Sequence, residues 1–205
     1  MSSREYLFDP LISIVAAGLI CLTAWSTLPG ETRPAAAPNV TYTATGTFSG
    51  PQVSGQDQFK LAGQDFSISV VANEAAVPAS HGGNWAKYTQ LKMLGTVNSG
   101  LFPTPFAISS SYTALELATG NPAYNVFAMF APINVMGKAI YISTVLQMPV
   151  GTIVKGKNLI VPFTAPVTLS PSSGTVVYSD PATGASTVLT IASGTLSTTV
   201  SGAAR

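Results

Sequence analysis

The chain has 205 residues, of which 46% are hydrophobic and only 8% carry charge. Charged residues make up about a quarter of an ordinary soluble domain, so the surface here must consist mostly of hydroxyl and amide groups. Nine basic and eight acidic side chains leave a net charge of +1, which provides no attraction for nucleic acid. The only cysteine is Cys21, which excludes an internal disulfide and a cysteine-based zinc site.

The chain begins with a hydrophobic segment. Residues 11–25 read LISIVAAGLICLTAW, and no charge interrupts the sequence between Asp9 and Glu31. This length suits the apolar region of a secretory signal peptide, and the uncharged window also approaches the roughly 20 residues that span a bilayer. We therefore expect residues 1–26 to form a hydrophobic helix that is either a signal peptide or an N-terminal membrane anchor. Residues 27–38 are expected to be a Pro/Ala-rich linker.

Both alternatives place the rest of the protein outside the cytoplasm. A cleaved signal would release it to the periplasm, the cell surface or the medium. An uncleaved segment would tether it to the membrane through the N-terminus alone. We expect an exported protein in either case.

Residues 39–205 form the predicted β domain, in which apolar residues recur with a period of two. Several segments either alternate apolar and polar residues or are apolar throughout, and clusters of Gly, Pro, Asn and Ser bound them. This pattern is typical of strands. No long window has the apolar spacing of a helix. Roughly eight or more strands are implied, and the clearest are 66–70, 106–112, 124–130, 139–145, 175–179 and 186–192.

Many short strands without crossover helices form an antiparallel sandwich or barrel. We predict an all-β fold, specifically a two-sheet β-sandwich of the jelly-roll or immunoglobulin-like kind. A membrane-spanning barrel would need strands of about ten residues with aromatic girdles, which the scattered aromatic residues do not provide. The residues expected to face the core are Phe66, Ile68, Val70, Phe106, Ile108, Tyr124, Val126, Ile140, Ile142 and Val188.

A Gly-Thr pair followed by an apolar residue recurs along the β domain. The spacing of the pairs is irregular, which excludes a repeat of fixed period. We interpret each glycine as a turn or bulge with positive φ and each threonine as the start of a strand. The glycines are Gly46, Gly95, Gly151, Gly174 and Gly194.

The segment SHGGNW, residues 80–85, contains His81, the only histidine. A catalytic histidine needs a nucleophile or a carboxylate partner, and the chain has no Gly-x-Ser-x-Gly elbow to accompany it. The two adjacent glycines favour a turn between strands. We interpret the segment as that turn, with His81, Trp85 and Tyr88 as candidate ligand-binding residues.

The acidic residues of the β domain are few. GQDQ and GQDF repeat eight residues apart, and two such turns facing each other would offer Asp57 and Asp65 to Ca²⁺. The alternative is a pair of turns in which each aspartate bonds to its own backbone. No pair of acids is favoured by sequence as the two carboxylates of a glycosidase.

The functional prediction is an exported, non-enzymatic protein that acts in binding or assembly at the cell envelope or outside the cell. The chain lacks nucleotide-binding and zinc-protease motifs, and no organic cofactor is expected. The expected partners are a second copy, another envelope protein or a glycan. Several aromatic rings either face the core or, where exposed, provide a surface for sugars, so the alternative is a carbohydrate-binding module or a glycan-acting hydrolase. These rings are Trp85, Tyr88, Tyr112, Tyr124, Tyr141 and Tyr178.

Overall fold

The computed structural model describes residues 36–51, 55–119, 121–135, 137–153 and 159–202. The predicted N-terminal helix and most of the predicted linker lie outside these residues. In the described part of the chain, no helix is long and apolar enough to cross a bilayer.

Ten strands make up the described structure, and every predicted strand overlaps one of them. Their alternation of buried and exposed side chains is the two-residue period seen in the sequence. The strands are β1 (Asn39–Pro51), β2 (Asp65–Asn73), β3 (Ser80–His81), β4 (Trp85–Val97), β5 (Phe106–Ala118), β6 (Asn125–Val135), β7 (Lys138–Met148), β8 (Val167–Leu169), β9 (Gly174–Asp180) and β10 (Ala185–Ser201).

Eight of these strands form one antiparallel sheet that closes on itself. They follow each other in the order β1, β2, β4, β5, β6, β7, β9 and β10, and β10 returns to pair with β1 from Asn39↔Ser201 to Pro51↔Leu189. The remaining two strands are short additions, β3 beside β4 and β8 beside β10. The all-β class is confirmed, but the predicted two-sheet sandwich is wrong because the two edges that a sandwich would leave apart are paired.

Two facing glycines allow the closing strands to approach each other. Gly46 of β1 lies opposite Gly194 of β10. A Cβ atom on Gly194 would overlap the carbonyl oxygen of Thr45, and one on Gly46 would overlap the carbonyl oxygen of Ser193. These glycines therefore serve close backbone contact inside strands, not the positive-φ turns that the sequence predicted.

The inside of the barrel is an apolar core, and one strand differs from the prediction in register. In β6 the inward positions are those of Phe127 and Met129, which are 3% exposed. The predicted core residues Tyr124 and Val126 are only half-buried and line the outer wall. A shift of one residue exchanges the two faces of a strand, so these two predictions are wrong. Val188 is also only half-buried and is not part of the described core cluster. Phe106 is half-buried but packs against the core, as predicted.

Both ends of the barrel are covered by loop segments. The loop between β1 and β2 places Phe59 and Leu61 in the core at one end. The segment that follows β7 does the same at the other end with Ile160, which is fully buried. The described residues enclose interior cavities of about 20 and 30 Å³, each with room for little more than one water molecule. Neither of these two cavities has space for a larger ligand.

Candidate functional site

A groove of about 540 Å³ lies on the outer wall of the barrel, where β4, β5 and β6 run side by side. Its lining combines half-exposed aromatic rings with amide, hydroxyl and charged groups. The β3–β4 hairpin and the loop between β5 and β6 also contribute lining residues. The lining residues are Ser80, Asn84, Trp85, Lys87, Glu116, Ala118, Asn121, Tyr124 and Val126.

The β3–β4 hairpin builds one wall of the groove. SHGGNW forms the turn of this hairpin, in which the backbone N–H of Gly82 donates to the carbonyl of Trp85 at 2.9 Å. A Cβ atom on Gly82 would overlap Nε1 of the Trp85 indole, whereas one on Gly83 would meet open space. The indole therefore packs against the Gly82 backbone, which fixes the ring along the groove.

The loop between β5 and β6 builds the opposite wall. The carbonyl oxygen of Asn84 accepts a hydrogen bond from the Thr119 N–H at 2.8 Å, which ties the hairpin to this loop. Within the loop, Oδ1 of Asn121 accepts from the Ala123 N–H at 2.8 Å. No hydrogen bond to another described residue occupies the Asn121 Nδ2 group, which can donate to a ligand, and the turn is followed directly by Tyr124.

The floor between the walls consists of small or charged side chains. Ala118 lies opposite Trp85 on one side and Val126 on the other, so a small side chain forms the middle of the groove floor. Lys87 lies opposite Glu116 in the strand register, but its Nζ atom is 5.7 Å from the centroid of the Phe130 ring, a cation–π arrangement. Among the described residues, no hydrogen bond or ion pair occupies the Glu116 carboxylate.

The candidate ligand-binding residues of the sequence are not all brought together. Trp85 lines the groove and is half-buried. His81 is exposed on the hairpin beside it and pairs with Ala86, outside the groove lining. Tyr88 is 1% exposed, and its hydroxyl accepts from the Leu159 N–H at 3.2 Å. Tyr88 lies three positions after Trp85, so in a strand their side chains point to opposite faces.

The two predicted calcium ligands have separate partners. The Asp57 carboxylate accepts from the backbone N–H groups of Leu61 at 3.0 Å and Ala62 at 2.8 Å. It also accepts from the Tyr178 hydroxyl at 3.0 Å. The Asp65 carboxylate accepts from the Thr47 hydroxyl at 2.7 Å. The described residues contain no cluster of three or more metal-ligating side chains, and the calcium site stays a prediction.

Sequence reasoning missed most of the groove. Asn84, Glu116 and Asn121 were not singled out as ligand contacts, and Tyr124 was expected in the core, with a place among the exposed sugar-stacking rings as the alternative. The Asn-Pro pair at residue 121 is a turn signal, and a turn there would have placed β5 and β6 as neighbours. The chain matches no protein-family profile, no curated protein and no solved structure. A functional assignment therefore depends on the chemistry of the groove.

Proposed function

We propose that the protein is an exported, non-enzymatic binding protein and that the groove on β4, β5 and β6 binds a glycan. One observation carries the proposal. The rings of Trp85 and Tyr124 lie on the walls of a groove whose lining also presents hydroxyl, amide and carboxylate groups. The hydrophobic start of the chain supports export, since glycans of the cell envelope lie outside the cytoplasm.

The groove chemistry suits a sugar chain. A pyranose ring has apolar C–H faces that pack against an aromatic ring, while its hydroxyls project sideways and both donate and accept. Ser80, Asn84 and Asn121 supply groups that donate or accept, and Glu116 accepts. The opposite charges of Lys87 and Glu116 cancel, which favours a neutral glycan over a charged one.

The groove supports binding better than hydrolysis. Glycosidases use two carboxyl groups about 5 to 9.5 Å apart. Glu116 is the one acidic residue among those that line the groove, and His81 is outside the lining. The alternative of a glycan-acting hydrolase therefore has no second acid in this groove to support it.

The test is calorimetric titration of the full-length protein with cellohexaose, xylohexaose, chitohexaose and mannohexaose. We expect at least one to bind, and Trp85→Ala to weaken that binding by about tenfold or more, because truncating a central aromatic contact costs about 1.4 kcal/mol or more. Tyr141→Ala is the matched control, since Tyr141 is a partly exposed tyrosine on β7 outside the groove. If no glycan binds, or if both variants bind like the wild type, the proposal is wrong.

A further inference from the structure

The barrel wall is split between β5 and β6. These strands pair only from Ala114↔Phe130 to Ala118↔Val126. Beyond that point, residues 106–110 pair with β4 alone, and residues 131–135 pair with β7 alone. Two strand edges thus face each other across a cleft. The cleft lies at the N-terminal end of β5, whereas the glycan groove lies at its C-terminal end.

The β5 edge of the cleft presents backbone groups that have no ladder partner among the described residues of β6. The Asn98 N–H donates to the carbonyl of Asp65 on β2 at 2.8 Å. Because the bonding direction alternates along a strand, the residue before Asn98 bonds in the other direction, to Phe106 of β5. Ser109 lies an odd number of positions after Phe106, so its N–H and carbonyl point into the cleft.

The β6 edge also presents backbone N–H and carbonyl groups to the cleft, with one N–H missing. Val135 and Lys138 are paired across a two-residue hairpin, which closes on a hydrogen-bonded pair. By the same alternation, Pro132 and Asn134 direct their backbone groups away from β7 and into the cleft. Proline has no N–H to donate, and proline in a sheet is characteristic of an edge.

The cleft between these edges has a volume of about 530 Å³. Its floor includes the inward-facing residues Met93 and Ile133, and its lining includes Tyr112, which is 74% exposed. Lys92 is the one charged residue in the lining. The cleft therefore combines an apolar floor, an exposed aromatic ring and two rows of backbone donors and acceptors.

We propose that this cleft binds an extended segment of a partner polypeptide by β-strand addition. An extended peptide has donors and acceptors on both of its sides, at the strand repeat of about 3.3 Å. It can therefore bond to the backbone groups of both edges at once. The apolar floor selects a small or apolar side chain at the inward-facing positions. Lys92 disfavours a basic segment.

The test is selection of a phage-displayed library of random decapeptides on the full-length protein, followed by affinity measurement with synthetic copies of the enriched peptides. Ser109→Pro removes the cleft-facing N–H, and Ser109→Ala removes the same hydroxyl but keeps the N–H. We expect enriched peptides to bind the wild type and Ser109→Ala equally, and Ser109→Pro about tenfold more weakly, as for the loss of a backbone hydrogen bond.

Two further measurements keep the result interpretable. Thermal melting reports whether Ser109→Pro is folded, and if it is not, Tyr112→Ala replaces it, with the same expected loss of peptide affinity. Absence of any enriched peptide, or equal binding to the wild type and the disruptive variant, overturns the proposal. If the wild type is a dimer that Ser109→Pro makes monomeric, the occupant is a second copy and the proposal of a different partner is overturned.

Discussion

At the scale of single residues, the position of the Trp85 ring depends on the absence of a side chain at Gly82. Gly82 lies against the indole nitrogen, while its neighbour Gly83 has free space where a Cβ would be. Neither has a positive φ. Gly82 therefore contacts the indole and Gly83 does not. Substituting each glycine by alanine separates the effect of the indole contact from any effect on the turn.

We expect Gly82→Ala to displace the Trp85 indole and Gly83→Ala to leave it in place. The displacement would shift the Trp85 fluorescence and weaken glycan binding by about tenfold, as for loss of an aromatic contact. The measurement uses the full-length chain with Trp25→Phe, so that Trp85 alone emits. Equal spectra and equal affinities for the two variants would show that Gly82 does not position the ring.

Two buried threonines in the core have opposite hydrogen-bonding states. Thr144 is 5% exposed, and its Oγ1, which lies beside an apolar cavity, has no hydrogen-bond partner among the described residues. Thr187 is 2% exposed and donates to the carbonyl of Gln56 at 2.8 Å. Burial of an unpaired hydroxyl opposes folding, whereas a satisfied hydroxyl contributes to stability.

We therefore expect Thr144→Val to raise the free energy of unfolding by about 1 kcal/mol and Thr187→Val to lower it by about the same amount or more. The second substitution also leaves the Gln56 carbonyl without its donor. Urea unfolding of both variants measures the difference. A fall in stability for Thr144→Val similar to that for Thr187→Val would indicate that the Thr144 hydroxyl is satisfied in solution.

At the scale of elements, the segment after β7 is held over the barrel end by buried tyrosines. The Tyr42 hydroxyl donates to the carbonyl of Val161 at 3.2 Å. Burial raises the pKa of the Tyr42 hydroxyl well above its ordinary value of 10.0. Burial also raises the pKa of the Tyr178 hydroxyl, at the other end of the barrel.

This predicts alkaline destabilisation. Both tyrosines ionise near pH 10 in the unfolded chain but retain their protons to higher pH in the folded protein, so their contribution is complete below about pH 10 and falls as the pH rises further. We expect the free energy of unfolding to decline as the pH rises above about 10, and Tyr42→Phe to make that decline shallower. A variant with the same slope as the wild type would contradict the assignment to Tyr42.

The strands themselves were predictable because alternation and turn residues are local signals. The faces of the strands were less so. In β6 the sequence YNVFAMF has apolar residues at both parities, and the choice of Tyr124 and Val126 as inward was wrong by one position. The prediction that Trp85 and Tyr88 both contact a ligand did not take the strand period into account, which places their side chains on opposite faces. Contacts made by loops, such as Asn121 beside the hairpin, have no periodic signal.

At the scale of the whole molecule, closure of the barrel could not be predicted from strand patterns. A sandwich strand and a barrel strand both bury one face. The distinguishing contact joins the first and last long strands, where the hydroxyls of Thr45 and Thr195 lie 3.1 Å apart across 150 residues of sequence. Only the Gly-Thr pairs at Gly46 and Gly194 signal this contact, and they read equally well as turns.

Closure depends on the absence of side chains at those glycines. We expect Gly194→Val to lower the free energy of unfolding by about 3 kcal/mol or more, because its Cβ would overlap the Thr45 carbonyl across the seam. Gly50→Val, also on β1, is the control, since a Cβ there meets nothing within 4 Å. Similar melting temperatures for the two variants would mean that β1 and β10 are not held this closely.

Glycan binding by the groove is tested most directly by nuclear magnetic resonance of the ¹⁵N-labelled full-length chain during titration with each of the four hexasaccharides. The indole N–H signal of Trp85 is assigned with the Trp25→Phe variant. We expect saturable shifts of that signal together with the side-chain amides of Asn84 and Asn121. Saturable binding that leaves these three signals unchanged, or no shift with any of the four sugars, would contradict it.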